Sequence, residues 1–219
     1  MLCPMKKIKC LITAGPTREY FDPVRFISNP STGKMGWVVA NAAKELGWET
    51  TLVLGPSALP DLDGADTVRV VSAQDMFEAC RAHFGSCDIL IMSAAVSDVR
   101  PKFRLPNKAK KDAIDLHPEL ERTPDILLEL SKIKKNQILI GFAAETQNVM
   151  AYAKDKLERK NLDAIAANNV GAAGAGFAAD TNKIDLILRS GEVVDFKAGT
   201  KSEIAKSLIQ FLKNRFFAE

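Results

Sequence analysis

Ile89-Leu90-Ile91-Met92-Ser93-Ala94-Ala95-Val96-Ser97-Asp98 is the stretch whose reading decides the fold. Its first four residues are a short, continuous apolar run, the pattern of a strand buried on both faces by helices. The rest is small and polar, as suits the carboxyl end of a strand that opens on a ligand crevice. Working outward, strands are expected at 8–14, 50–54, 68–71, 89–93, 138–143, 164–167, 184–188 and 193–196. Helices are expected at 34–46, 73–83, 124–132, 148–160 and 202–216. Alternation of apolar runs with amphipathic stretches predicts an α/β chain. The architecture expected is a Rossmann-like, doubly wound, mostly parallel sheet with helices on both faces. Ser190-Gly191 separates the last two runs closely enough for a hairpin, so the sheet should end in an antiparallel C-terminal edge. Neither an internal repeat nor a linker divides residues 1–219, which read as a single domain.

With 219 residues, 47% of them hydrophobic, the chain can bury a sizeable core. The net charge of +3 is too small for a general nucleic-acid surface. Basic residues gather locally at Lys102, Arg104, Lys108, Lys110 and Lys111, and again at Lys154, Lys156, Arg159 and Lys160. No apolar run approaches the roughly 20 residues of a membrane span, and there is no signal-peptide pattern, so a cytoplasmic protein is expected. Cys3, Cys10, Cys80 and Cys87 lack paired C-x-x-C spacing, so they read as reduced packing residues and no protein metal site is expected.

Strand ends fall at Gly15 onward, at Gly55-Pro56, at Ser93 to Asp98, at Phe142-Ala143-Ala144-Glu145-Thr146 and at Ala167-Asn168-Asn169-Val170-Gly171. Four of the five are rich in small and polar residues, which favours a shared site over plain loops. Between the first strand and the first helix lies Ile27-Ser28-Asn29-Pro30-Ser31-Thr32-Gly33-Lys34-Met35-Gly36. A helix entered from such a loop offers amide donors and the positive end of its dipole to an anion. Ser31 and Thr32 could cap it, and Gly33 and Gly36 permit close approach of backbone or ligand. The connection from Gly15 to Pro30 is longer than a strand-to-helix turn needs, and long ordered loops are usually functional.

A doubly wound sheet invites a nicotinamide cofactor, but the first strand ends Thr13-Ala14-Gly15-Pro16-Thr17-Arg18, without the second glycine of G-x-G-x-x-G. The second strand ends Leu54-Gly55-Pro56-Ser57, without the acid that holds a ribose. Tyr152-Ala153-Lys154-Asp155-Lys156 matches Y-x-x-x-K, a short pattern frequent by chance, and the matching glycine cluster is missing. Gly33-Lys34-Met35 lacks the Ser or Thr of a phosphate-binding P-loop.

Several segments together carry a family resemblance. They are Thr13-Ala14-Gly15, Thr17-Arg18-Glu19, Asp22-Pro23-Val24-Arg25-Phe26-Ile27-Ser28-Asn29, and Ser31-Thr32-Gly33-Lys34-Met35-Gly36. Further along come Ala94-Ala95-Val96-Ser97-Asp98, Lys108-Ala109-Lys110-Lys111, Pro124-Asp125-Ile126-Leu127, Gly141 to Thr146, and Lys156 with Arg159-Lys160-Asn161-Leu162-Asp163. In that order and spacing they resemble phosphopantothenoylcysteine synthetase, the phosphopantothenate–cysteine ligase of coenzyme A biosynthesis. In many bacteria that enzyme is fused behind a flavin-dependent decarboxylase; with a first strand from Ile8, the chain reads as the stand-alone type.

The resemblance implies a two-step reaction in which CTP, with Mg²⁺, activates 4′-phosphopantothenate as an acyl-cytidylate and L-cysteine then takes the acyl group. It implies a homodimer and assigns Lys108, Lys156 and Lys160 to the nucleotide, Asp98 to the ribose, Phe142 to the cytidine pocket and Pro124, Asp125, Ile126 and Leu127 to the base edge. At helical spacing Lys156 and Lys160 share one face. The Lys108-Ala109-Lys110-Lys111 pattern implies CTP rather than ATP. Residues 99–122, basic and interrupted by Pro101, Pro106 and Pro118, read as a mobile flap that closes over the intermediate. Asn29 matches the family residue that converts the intermediate, with its amide donating to the acyl-cytidylate, and Arg25 matches an arginine that pairs with it. Gly15, Ser31, Gly33 and Lys34 are expected around phosphate, and Ala94 and Ala95 to touch ligand through their backbone. Pro16, Pro30 and Thr32 depart from the commonest pattern; Pro16 removes an amide donor. Residues 171–176 receive no role. The competing readings are a catalytically silent nucleotide-binding module on the same fold and, further off, the Tyr152/Lys156 oxidoreductase.

Overall fold

The computed structural model describes residues 7–145, 148–169 and 181–218; Cys3, Thr146 and the 170–176 segment lie outside them. The chain opens with β1 (Lys9–Ala14), β2 (Arg18–Tyr20) and β3 (Phe26–Ser28), and then α1 (Lys34–Glu45), β4 (Glu49–Leu54), β5 (Asp66–Arg69), α2 (Ala73–Phe84) and β6 (Ile89–Met92). There follow β7 (Val99–Pro101), β8 (Leu120–Arg122), α3 (Ile126–Ser131), β9 (Ile138–Glu145), α4 (Val149–Arg159), β10 (Ala164–Asn169), β11 (Thr181–Leu188), β12 (Val193–Thr200) and α5 (Lys201–Phe216).

One eight-stranded sheet runs β12-β11-β10-β9-β6-β1-β4-β5. The six strands from β5 to β10 are parallel, and β11 and β12 add antiparallel to them. The hairpin between the last two turns at Gly191, whose φ of +89° only glycine adopts without strain. From β1 the winding runs outward in both directions, to β4 and β5 one way and to β6, β9 and β10 the other, which makes the β1/β6 boundary the topological switch point.

Side chains alternate across the sheet with the period of a strand. Cys10, Ile12 and Ala14 of β1, with Ile89 and Ile91 of β6, pack into a core with α1 and α5. Leu11, Leu90 and Met92 face the opposite core, beneath α2, α3 and α4. Both faces are therefore sealed, and function is left to the strand edges.

Three differences from the expected elements have local causes. The third helix begins at Ile126 rather than at 124 because Asp125 is its N-cap, its carboxylate accepting from the Leu128 amide at 3.2 Å. The expected strand at 68–71 lies at Asp66–Arg69, since Val71 leaves the sheet and its carbonyl accepts from the Arg18 amide at 2.8 Å. Two ribbons went unseen, β2 with β3 and β7 with β8, because three-residue strands carry too few residues to display a period.

Candidate active site at the switch-point edge

A cavity of about 720 Å³ opens along the carboxyl edge of the sheet, across the ends of β6, β9 and β10 and the start of α1. At the switch point the ladder continues past the named strands. The Ala95 amide donates to the Gly15 carbonyl at 2.9 Å, Ala94 donates to Thr13 Oγ1 at 3.1 Å, and Ser97 donates to Thr17 Oγ1 at 3.0 Å. Ala94 and Ala95 line the cavity. Gly15 does not; its φ of +82° and its packing on Gly55 turn the chain out of β1 behind the wall.

The start of α1 forms one side of the cavity, with Asn29, Ser31, Gly33 and Lys34 all on the wall. The cap is neither Ser31 nor Thr32 but Gly33, with φ +81° and no side-chain capping bond. The two hydroxyls instead fold the approach to the helix: Ser31 Oγ accepts from the Gly33 amide at 3.2 Å and Thr32 Oγ1 from the Lys34 amide at 3.4 Å. Gly36 is buried for a different reason, since a Cβ there would stand 2.6 Å from both Ala14 Cβ and the Thr13 carbonyl oxygen. It is the point where helix and strand touch.

Asn29 Nδ2 donates to the carbonyls of Ala95 and Val96, at 3.2 and 3.0 Å. Two facing acceptors fix the amide's orientation, because the oxygen could not replace the nitrogen there. The donors of Asn29 are thus engaged by β6's extension, and Oδ1 is the atom left to act. For the amide N–H groups to meet the intermediate, as the resemblance implies, these two bonds would have to open.

The opposite side comes from α3 and α4. Pro124, Asp125, Ile126 and Leu127 line the wall with Phe142, Lys156 and Lys160, and Asp98 stands at the end of β6's extension. Lys160 Nζ lies 2.9 Å from Asp125 Oδ1, so this lysine holds the capping carboxylate while facing the cavity. Arg122, Arg159, Asn168, Asn182 and Lys201 also line the cavity and were not singled out from the sequence. Arg159 and Asn168 fall in segments already quoted, a basic cluster and a strand end, but were given no role, whereas Arg122, Asn182 and Lys201 stand at single positions where no local motif marks them. Six cations (Lys34, Arg122, Lys156, Arg159, Lys160 and Lys201) face two carboxylates (Asp98 and Asp125) among the described lining residues. Such a surplus concentrates a polyanion.

Besides Gly15, two predicted residues, Arg25 and Lys108, lie off the wall. Arg25 forms an ion pair with Asp22, and its NH1 and NH2 donate to the Ala109 carbonyl at 3.3 and 3.2 Å. The Ala109 amide donates to Asp22 Oδ2 at 3.2 Å, so both polar groups of that peptide are clamped. Burial pushes the Asp22 carboxyl upward, but hydrogen bonds from the Val24, Arg25 and Ala109 amides and the Arg25 guanidinium outweigh it and bring its pKa down to about 2. The guanidinium that the resemblance gives to the intermediate here engages Asp22 and the 99–122 segment. Lys108, next to the clamp, is exposed and lies off the cavity wall. The ends of that segment are zipped by β7 and β8, and Leu105 donates to the Phe21 carbonyl at 2.8 Å. Tyr152 is half exposed and away from the cavity, so it forms no Tyr–Lys pair there with Lys156.

Among the described residues, no helix is long and apolar enough to cross a membrane.

Residues 5–216 match the family described as the DNA/pantothenate metabolism flavoprotein C-terminal domain. The chain is 46% identical over 208 residues to the coenzyme A biosynthesis bifunctional protein CoaBC of Bacillus subtilis, covering 94% of this chain and 51% of that protein. It is 44% identical over 209 residues to a cysteine/cysteine sulfinic acid decarboxylase of an unknown prokaryotic organism, covering 94% of this chain and 58% of that one. The chain thus spans about half the length of the curated relatives it matches. Its fold is similar to the crystal structure of the C-terminal domain of CoaBC, with a TM-score of 0.81 and 45% identity over 95% of this chain and 97% of that one.

Proposed function

Because the chain belongs to the DNA/pantothenate metabolism flavoprotein C-terminal domain family, we propose that it is the ligase that joins 4′-phosphopantothenate to L-cysteine at the expense of CTP. The likeness to the C-terminal domain of a coenzyme A biosynthesis protein supports the pathway. The observation that carries the chemistry is Asn29, locked over the switch point with Oδ1 as its acting atom.

In the first step the phosphopantothenate carboxylate attacks the α-phosphorus of CTP and pyrophosphate leaves, forming an acyl-cytidylate. The cationic wall favours this step by meeting the charge that develops on the phosphates. Pro124 to Leu127 and Phe142 shape the base pocket. In the second step the cysteine amine attacks the acyl carbon, the C–O bond to CMP breaks, and the amine loses a proton. Asn29 Oδ1, an acceptor with no proton to give and no nucleophilic charge, suits the orientation of that amine. A magnesium ion carried on the CTP phosphates would neutralise their charge. Asp125 is occupied by Lys160 and the Leu128 amide, so in this reading the ion would rest on the phosphates and Asp98 is kept for the ribose. Closing the 99–122 segment would bring Lys108 to the nucleotide and exclude water from the intermediate. A homodimer belongs to the same reading.

Incubation with phosphopantothenate, cysteine, magnesium and CTP should yield CMP and pyrophosphate in equal amounts. No CMP would sink the proposal, and release of CO₂ from cysteine would favour the activity named for the second relative. Asn29→Asp keeps an acceptor oxygen but sets a carboxylate against the Ala95 and Val96 carbonyls. Pyrophosphate release should survive in that variant while amide formation drops; an equal loss of both would reduce Asn29 to a binding residue.

A further inference from the structure

Lys201 is 4% exposed, yet it lines the cavity. It is the first residue of α5, directly after the N-cap Thr200 and within the capping box that Thr200 forms with Glu203. Asn182, 9% exposed on β11, lines the same cavity. Among the described residues its Nδ2 meets only the Met35 sulfur, at 3.9 Å, and a thioether is a weak acceptor. Met35 belongs to the first turn of α1, and α1 packs with α5 on one face of the sheet. Lys156 and Lys160 reach the cavity from α4, on the other face. The cationic wall therefore has two halves, separated by the strand edges.

We propose that Lys201 and Asn182 bind a phosphate group on the α1/α5 side of the cavity, as a subsite distinct from Lys156 and Lys160. The inference rests on the ligase reading and extends it, since that reaction brings two phosphorylated substrates into one cavity. An ammonium and a carboxamide N–H are complementary to phosphate oxygens. The phosphate comes either from the CTP triphosphate or from the 4′-phosphate of phosphopantothenate.

Calorimetric titration of the full chain with CTP, CMP, 4′-phosphopantothenate and unphosphorylated pantothenate tests this, using Lys201→Met, Asn182→Leu and Lys201→Arg. Lys201→Met should weaken one phosphorylated ligand at least tenfold, Asn182→Leu the same ligand by less, and Lys201→Arg should restore most of the loss. A loss on CTP but not CMP assigns the subsite to the triphosphate; a loss on phosphopantothenate but not pantothenate assigns it to the 4′-phosphate. Unchanged affinities in a folded Lys201→Met, an equal loss on all ligands, or failure of every Lys201 variant to fold would make Lys201 a structural residue and overturn the inference. If the unaltered chain bound neither CTP nor phosphopantothenate, the ligase reading itself would fall, and this subsite with it.

Discussion

Gly36→Ala tests whether the cavity wall is held by the contact between α1 and β1. The added methyl would stand 2.6 Å from Ala14 Cβ, 2.6 Å from the Thr13 carbonyl oxygen and 2.9 Å from Ala14 Cα. Unstrained carbon contacts lie at roughly 3.5–4.0 Å, so the first turn of α1 must retreat by about 1 Å. None of the three atoms is the far end of a flexible side chain, and β1 is fixed by β4 on one side and β6 on the other. Two effects oppose each other. Alanine is the better helix former by about 0.5–1 kcal/mol, while overpacking a tight contact costs about 1–3 kcal/mol. With an unyielding strand the upper end applies, which leaves a net loss of about 2 kcal/mol. For a chain of this size each kcal/mol moves the midpoint by about 2–4 °C, so Tm should fall by about 4–8 °C.

The same retreat would carry Ser31, Gly33 and Lys34 away from Ala94 and Ala95 across the cavity. Misplacement by about 1 Å can cost on the order of 100-fold in rate, so turnover should fall far more than stability. Scanning calorimetry and a pyrophosphate-release assay read the two effects. A Gly36→Ala protein that melts at or above the parent temperature and turns over normally would refute the reasoning, because the contact would then be slack.

Gly85→Ala is the matched contrast: with φ −64° and nothing within 4 Å of an added Cβ, it should gain about 0.4–1 kcal/mol, read as a higher Tm. Asp22, held at about 2 against an ordinary 3.8, contributes stability that is complete above about pH 4 and is lost as pH falls through 2. Asp22→Asn should flatten that acid limb in melts taken from pH 5 to 2, and it should make residues near Ala109 more open to proteolysis. Burial pushes the Cys80 and Cys87 thiols up to about 12 and the Cys10 thiol well above its ordinary value, so a thiol reagent at pH 8 should reach the buried Cys10 and Cys80 only after denaturation and the half-buried Cys87 slowly before it. Asp22→Ala and Arg25→Ala should be strongly non-additive in turnover if both act through Ala109; additive losses would return Arg25 to the substrate.

The fold was legible where burial on both faces leaves a continuous apolar run. Ile89 to Met92 is fully buried, and the same reading carried β1, β4 and β9. It missed β2, β3, β7 and β8, whose three residues each sit largely outside the cores. Within the site, the small residues of two strand ends lie on the cavity, Ala94 and Ala95 after β6 and Ala144 at the end of β9, whereas Gly15 and Gly55 do not. Sequence could not say which atom of Asn29 is available. That depends on the carbonyls of Ala95 and Val96, which only the switch-point geometry brings beneath it. Nor could it find Lys201, a lone lysine at a helix start whose spacing looks like any solvated one.

Arg25 and Lys201 together show how charge read along the chain differs from charge gathered by the fold. Arg25 sits four residues before Asn29 in a dense motif, so proximity in sequence suggested a ligand contact. Yet a guanidinium beside a buried carboxylate pairs with it first, and the remaining N–H groups took the nearest carbonyl, that of Ala109. Its motif ties the 99–122 segment to the loop that carries Asn29, so Asn29 and Lys108 share one tether. Lys201 has the opposite history: remote in sequence from every motif, it reaches the cavity because α5 packs against α1 on one face of the sheet. A doubly wound sheet gathers cations from helices on both faces at one edge. The two halves of the charged wall are thus set by topology, while the motifs specify only what lies between them.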